Sequence, residues 1–182
     1  MSKNISRLAF SSAFAALYLA LTFLSFALGL DKGVIQCRLS ECLCVLCGFF
    51  PGAVGGLTVG CFLADLLIGC HPLDIAVGTV ATCLGCVFAS LIGRRLQTKR
   101  RVWVLSLPAF FCSVLLLPPI MIYVYGAKEA YLLIVCSIAV GEFLSAVVLG
   151  TVLGRVTLVL PFTEKVRKNS DKNPDGHRWT KD

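Results

Sequence analysis

Long apolar runs alternate with short polar breaks along most of this chain. Six runs can be marked off: Leu8 to about Leu30, about Ile35 to Phe50, Ala53 to Gly69, about Ile75 to Ile92, a fifth ending at Tyr125, and Ala130 to about Leu153. A helix of about 20 apolar residues spans the hydrocarbon core of a bilayer, so each run is read as a membrane helix. The first run exceeds the roughly 7–15 residues of a signal-peptide core and lacks an A-x-A cleavage pattern, so it is expected to be retained. The second is short for a span and could instead dip in and return on the same side.

The placement of charge decides between these two layouts. If the second run crosses, the amino terminus, the loop with Arg94, Arg95, Lys99, Arg100 and Arg101, and the basic tail share one side. Only Lys32, Arg38 and Lys128 of the 17 Lys and Arg residues then fall on the other, as the positive-inside rule requires. If it re-enters, the basic segments split between the two sides. The expected fold is therefore an all-α integral membrane bundle of six transmembrane helices with both termini cytoplasmic. A cytoplasmic start over residues 1–7 leads into a membrane domain over 8–160 and a polar, disordered tail over 161–182.

Composition agrees, with 57% hydrophobic residues, 15% charged and a mean hydropathy of +0.85. Soluble domains carry about 25% charged residues, which excludes a soluble globule. The net charge of +7 is explained by topology and attraction to anionic lipid, with no nucleic-acid role. The ten cysteines lie mostly inside apolar runs and are read as small buried hydrophobes. Cys42, Cys44 and Cys47 lack the paired spacing of a zinc site, and His71 before Pro72 is read as a turn residue, so no metal is expected.

Small residues recur at helical spacing. Ala9, Ser12, Ala13, Ala16 and Ala20 form a narrow face on the first helix, and Gly52, Gly56, Gly60 and Ala64 a ladder into the third. Such faces let helices approach closely in lipid, whether within the bundle or against a partner.

Against this background the acidic residues stand out, because a central Asp costs about 2.5–3.5 kcal/mol to insert. Glu41, Asp65 and Glu142 sit within runs, Asp74 opens the fourth, and Arg38 lies one helical turn before Glu41. Ionisable residues at such places face a bundle interior or cavity and mark a functional site by default. Gln36, Arg38, Glu41, Asp65, Asp74 and Glu142 are the candidate substrate-binding residues. Arg38, Glu41 and Asp65 are placed near one end of their segments, and Glu142 near mid-membrane. The competing structural reading is an internal Arg38–Glu41 salt bridge, with Asp65 and Asp74 at a wet interface.

The segments Ile35-Gln36-Cys37-Arg38-Leu39-Ser40-Glu41, Gly48-Phe49-Phe50-Pro51, Gly60 to Asp65, Leu73 to Thr82 and Gly141-Glu142, taken in order, resemble the QueT family. The resemblance covers about Leu8 to Leu153. It implies a substrate-binding S component of an energy-coupling factor (ECF) transporter in the bacterial cell membrane, importing queuosine precursors. A 7-deazaguanine shows an N–H and an amino group side by side, which one carboxylate can accept, Glu41 or Glu142. Arg38 or Gln36 could donate to the ring carbonyl, and Phe49, Phe62, Tyr123, Tyr125 or Tyr131 could stack on the ring.

The chain has no G-x-x-x-x-G-K-[ST] P-loop, so it cannot hydrolyse ATP itself; no cofactor of its own is expected, and ATP would be used by partners. The resemblance implies two ATPase subunits and a coupling subunit, with Ser12, Ala13, Ala16 and Ala20 as docking surface. An S component for another vitamin is the main alternative, and a non-transport scaffold the next. An enzyme is disfavoured because the chain lacks an H-E-x-x-H motif and has only two histidines.

Overall fold

A computed structural model describes residues 3–30, 37–95, 102–125 and 131–159. Helix α1 is Lys3–Ala27, followed by a 3-10 helix Leu39–Gly48, then α2 (Ala53–Ile68), α3 (Pro72–Arg95) and α4 (Val102–Tyr125). The last rod is α5 (Tyr131–Glu142), a π-helical stretch Phe143–Leu149 and α6 (Gly150–Val159) without a break. The described residues contain helices only, in six segments that match the six apolar runs. Helix α1 begins at Lys3 and the last rod ends at Val159, each beyond the expected run. The tail after residue 159 and Gln36 lie outside the described residues.

Four segments are long and apolar enough to cross a membrane: Leu8–Ala27, Pro72–Arg95, Val102–Pro119 and Tyr131–Val159. The 3-10 helix and α2 are shorter. The 3-10 helix nevertheless runs through the bundle rather than turning back. At its start Leu39 N–H donates to Ser25 Oγ, near the end of α1 (2.9 Å). At its finish the Gly48 backbone lies against Gly93, two residues from the end of α3. Ten residues at about 2.0 Å each cover about 20 Å, where an α-helix would cover about 15 Å.

Close contacts fix the direction of every segment. Gly56 packs on Ser11 and Gly60 on Ala15 and Tyr18, so α1 and α2 run parallel, and the glycine ladder is their contact surface. Gly85 meets Ala109, joining α3 to α4; Gly150 meets Ser106, and Gly154 meets Val102, joining α6 to α4. Successive segments therefore alternate in direction, as a six-span layout requires.

The 3-10 helix is the centre of the bundle, with Ser40, Glu41, Leu43, Cys44, Val45, Leu46 and Cys47 all buried. Three residues per turn place side chains at i and i+3 in line. Glu41, Cys44 and Cys47 form one file, with the thiols of Cys44 and Cys47 meeting Cys86 on α3. Cys42, Val45 and Gly48 form another, against α4 and α6. Small thiols fit these eclipsed files where longer side chains would crowd. All ten cysteines are free thiols.

Candidate functional site

Arg38 is not part of the central helix but its extended cap, with φ −95° and ψ 100°. Its side chain leaves toward α2, where Nη1 pairs with Asp65 Oδ2 at 3.3 Å. The Arg38–Glu41 salt bridge of the competing structural reading is thus replaced by Arg38–Asp65. The reason lies in the backbone, since an extended residue before a 3-10 turn projects its side chain away from those of the turn.

Glu41 points into the bundle and is 2% exposed. Its Oε1 accepts from the Tyr18 hydroxyl at 2.8 Å and the Thr82 hydroxyl at 3.1 Å, and its Oε2 from the Cys44 thiol at 3.2 Å. Thr82 also contacts Cys61 Sγ at 3.4 Å, and Cys61 lies 3.7 Å from Asp65 Oδ2. One polar network therefore links α1, the central helix, α3 and α2, from Tyr18 through Glu41, Thr82, Cys61 and Asp65 to Arg38. Buried carboxylates are tolerable only when so supplied with donors.

Asp74, 5% exposed, sits on the face of α3 shared by Gly78 and Thr82, four and eight residues on. A Cβ at Gly78 would come within 3.2 Å of Asp65 Oδ2 and 3.5 Å of Arg38 Nη1, and within 4 Å of nothing else. The other interior glycines of α2 and α3 meet backbone or packed carbon, so Gly78 is set apart by facing an ion pair. Asp65 lies in the electric field of Arg38, Asp74 and Glu41. Glu142, 2% exposed, neighbours Cys37, which also touches Ser145.

Arg38, Glu41, Asp65 and Asp74 thus gather around one face of α3, and Glu142 joins them beside Cys37, across the start of the central helix. Glu41 opposes Thr82, ten residues and about 15 Å along α3 from Pro72. It lies deeper along α3 than a place at the end of its own run suggests, because that run is a short 3-10 helix.

Four members were not singled out as contacts in the sequence: Tyr18, Thr82, Cys44 and Cys61. The acid spacings held a signal, since Cys44 lies three residues after Glu41 in a 3-10 turn and Cys61 four before Asp65 in an α-helix. Among the stacking candidates, Phe62, Tyr123 and Tyr131 lie exposed on the outside, and Phe49 packs on Gly154 at the far end. The Tyr125 side chain lies outside the described residues. Among the described residues no group of three His, Cys, Asp or Glu side chains converges for a metal.

The sequence matches the QueT transporter family over residues 8–157. The chain belongs to that family. It is accordingly a multi-pass membrane protein of a transporter family, not an enzyme family. The QueT match takes in all five candidate residues described above, together with the docking candidates on α1. No curated protein matches the chain, and no solved structure does.

Ser12, Ala13, Ala16 and Ala20 are all exposed, on the side of α1 away from α2. The face of α1 that packs internally is instead Ser11, Ala15 and Tyr18.

Proposed function

We propose that this chain is the substrate-binding subunit of an ECF-type importer, taking up a queuosine precursor of the 7-deazaguanine type. It sits in a bacterial cell membrane with both termini cytoplasmic, captures the compound from outside, and passes it inward with a coupling subunit and two ATPase subunits. The observation that carries this reading is the part-buried Arg38–Asp65 pair, linked through Cys61 and Thr82 to Glu41 inside an apolar bundle. Charges are retained in such a place when a polar compound is to be held there.

A planar guanidinium can donate to a ring carbonyl, and a carboxylate can accept an adjacent N–H and amino group. Arg38 supplies the first, and Asp65, Asp74 or Glu142 the second. Glu41 already accepts three hydrogen bonds within the protein and acts by holding the first turn of the central helix in place. A buried polar site of this kind strongly rejects analogues lacking the partner groups. The exposed alanine face of α1 suits docking of the coupling subunit, since small residues let two backbones approach closely in lipid.

Native mass spectrometry of the detergent-purified protein tests the ligand. A co-purified deazapurine, lost in Arg38→Ala, is expected. A different vitamin released from the protein would keep the S-component reading and replace the substrate, and failure of any small molecule to bind would favour a scaffold.

A further inference from the structure

Glu41, Cys44 and Cys47 stand in one file along the central helix, and Cys86 on α3 reaches the thiols of both cysteines. The register of the two segments singles out one pair. Glu41 meets Thr82 at 3.1 Å, and a Cβ at Gly93 would lie 2.6 Å from the Gly48 Cα, so the two backbones run side by side in the same direction. Three residues beyond Glu41 in a 3-10 helix advance about 6 Å, as do four residues beyond Thr82 in an α-helix. Cys44 and Cys86 are therefore level, and Cys47 lies about 6 Å farther on. A disulfide needs Cα atoms about 4.4–6.8 Å apart, which so close a pair of backbones can offer.

Cys44 also has a base. Its thiol donates to Glu41 Oε2 at 3.2 Å, and a thiol becomes a nucleophile when an adjacent group takes its proton. Cys61, also beside a carboxylate, is 3.7 Å from Asp65 Oδ2 and has the Thr82 hydroxyl as its other contact. Cys44 thus combines at one sulfur a proton acceptor and a neighbouring thiol, the parts needed to carry a sulfenic acid on to a disulfide. Cys44 and Cys86 are fully buried, so an oxidant must be small and uncharged. The line of polar groups from Arg38, 12% exposed, through Asp65, Cys61 and Thr82 to Glu41 gives it a way in.

We infer that Cys44 and Cys86 are a peroxide-reactive thiol pair, with Glu41 as the proton acceptor. The Cys44 thiol passes its proton to Glu41, and its sulfur attacks one oxygen of hydrogen peroxide, breaking the O–O bond. The leaving hydroxide takes the proton from Glu41 and departs as water, which leaves a sulfenic acid on Cys44. The Cys86 sulfur then attacks the Cys44 sulfur, the S–S bond forms, and the expelled hydroxyl leaves with the Cys86 proton as a second water. Two thiols are oxidised and one peroxide is reduced to two waters. The bridge ties the central helix to α3 and withdraws one of the three donors to Glu41. The chemistry needs neither a bound ligand nor a partner subunit.

Full-length protein in lipid nanodiscs, treated with hydrogen peroxide, blocked with N-ethylmaleimide under denaturing conditions and digested for mass spectrometry, tests this. A Cys44–Cys86 bridge that dithiothreitol reverses is expected, and it should form equally in Cys47→Ala. Cys44→Ala should leave the Cys86 thiol free. Cys86→Ala should strand a sulfenic acid on Cys44, trapped by dimedone as the protein is unfolded. Glu41→Gln should slow the bridge by about 100-fold or more, the usual contribution of a positioned base. Exposed Cys136 reports that the oxidant has reached the protein. If Cys136 is oxidised while Cys44 and Cys86 stay free, if the bridge joins Cys47 instead, or if Cys86 is still bridged in Cys44→Ala, the inference falls. A folded Glu41→Gln that forms the bridge at an unchanged rate overturns the proton transfer. Should Glu41→Gln not fold, Cys86→Ala decides, because absence of the dimedone adduct overturns attack at Cys44.

Discussion

The hydroxyl of Tyr18 on α1 donates to Glu41 Oε1 at 2.8 Å, so the helix with the exposed alanine face is also a wall of the polar network. Tyr18→Phe removes one of three donors to a buried carboxylate and should lower stability by about 1–3 kcal/mol. Glu41→Leu should cost more, because the hydroxyls of Tyr18 and Thr82 then lose their shared acceptor. Thermal unfolding in detergent measures both, and an unchanged midpoint for Glu41→Leu would contradict the network.

Two adjacent glycines give an internal control for the contact between α1 and α2. A methyl at Gly56 would collide with the Ser11 carbonyl, while one at Gly55 meets nothing within 4 Å. Gly56→Ala should destabilise by about 1–3 kcal/mol, and Gly55→Ala should be neutral or stabilise by up to about 1 kcal/mol. Equal effects of the two would mean that the helices do not pack on this ladder.

The pairing of Arg38 with Asp65 can be separated from simple charge. Arg38→Lys keeps the cation and loses the planar fork, so ligand affinity should drop about tenfold or more while the protein stays folded, since a hydrogen bond to a charged group is at stake. Titration of the purified variant reads this directly. Full affinity in Arg38→Lys would leave Arg38 a structural counter-ion to Asp65.

The ends of α3 report topology. The 24 residues Pro72–Arg95 extend about 36 Å, enough to cross. In a background without reactive native thiols, His71→Cys should react with an impermeant reagent on intact cells, and Arg95→Cys only after lysis. The reverse pattern would invert the bundle.

The docking face has its own test. Ala16 and Ala20 are exposed, so Ala16→Trp with Ala20→Trp should leave ligand affinity intact. Uptake in cells that supply the ATPase module should collapse, because bulky side chains hold two helices apart. Loss of binding and uptake together would assign the face to internal packing.

The bundle was largely legible in the sequence because lipid imposes one rule on every segment: apolar side chains outside and backbone hydrogen bonds satisfied within. The glycine ladder from Gly52 to Ala64 was legible as a close helix contact for the same reason, and α1 proves to be the helix it meets. Pairing within the site was not legible. Whether Arg38 meets Glu41 or Asp65 turns on whether residue 38 is helical or extended, and apolar periodicity carries no signal for that. The thiols of Cys44 and Cys61 were hidden by their own chemistry, because cysteine packs as a small hydrophobe and donates weakly when an acceptor is near.

The central 3-10 helix also limits how the chain can vary in length. Removing one residue between Leu39 and Gly48 would rotate everything beyond it by about 120° and turn one file of side chains toward another file's neighbours. Removing three would restore the files but draw the segment in by about 6 Å, so that Leu39 at Ser25 and Gly48 at Gly93 could no longer both be held. Substitutions of similar size are open to this stretch, whereas insertions and deletions are closed to it.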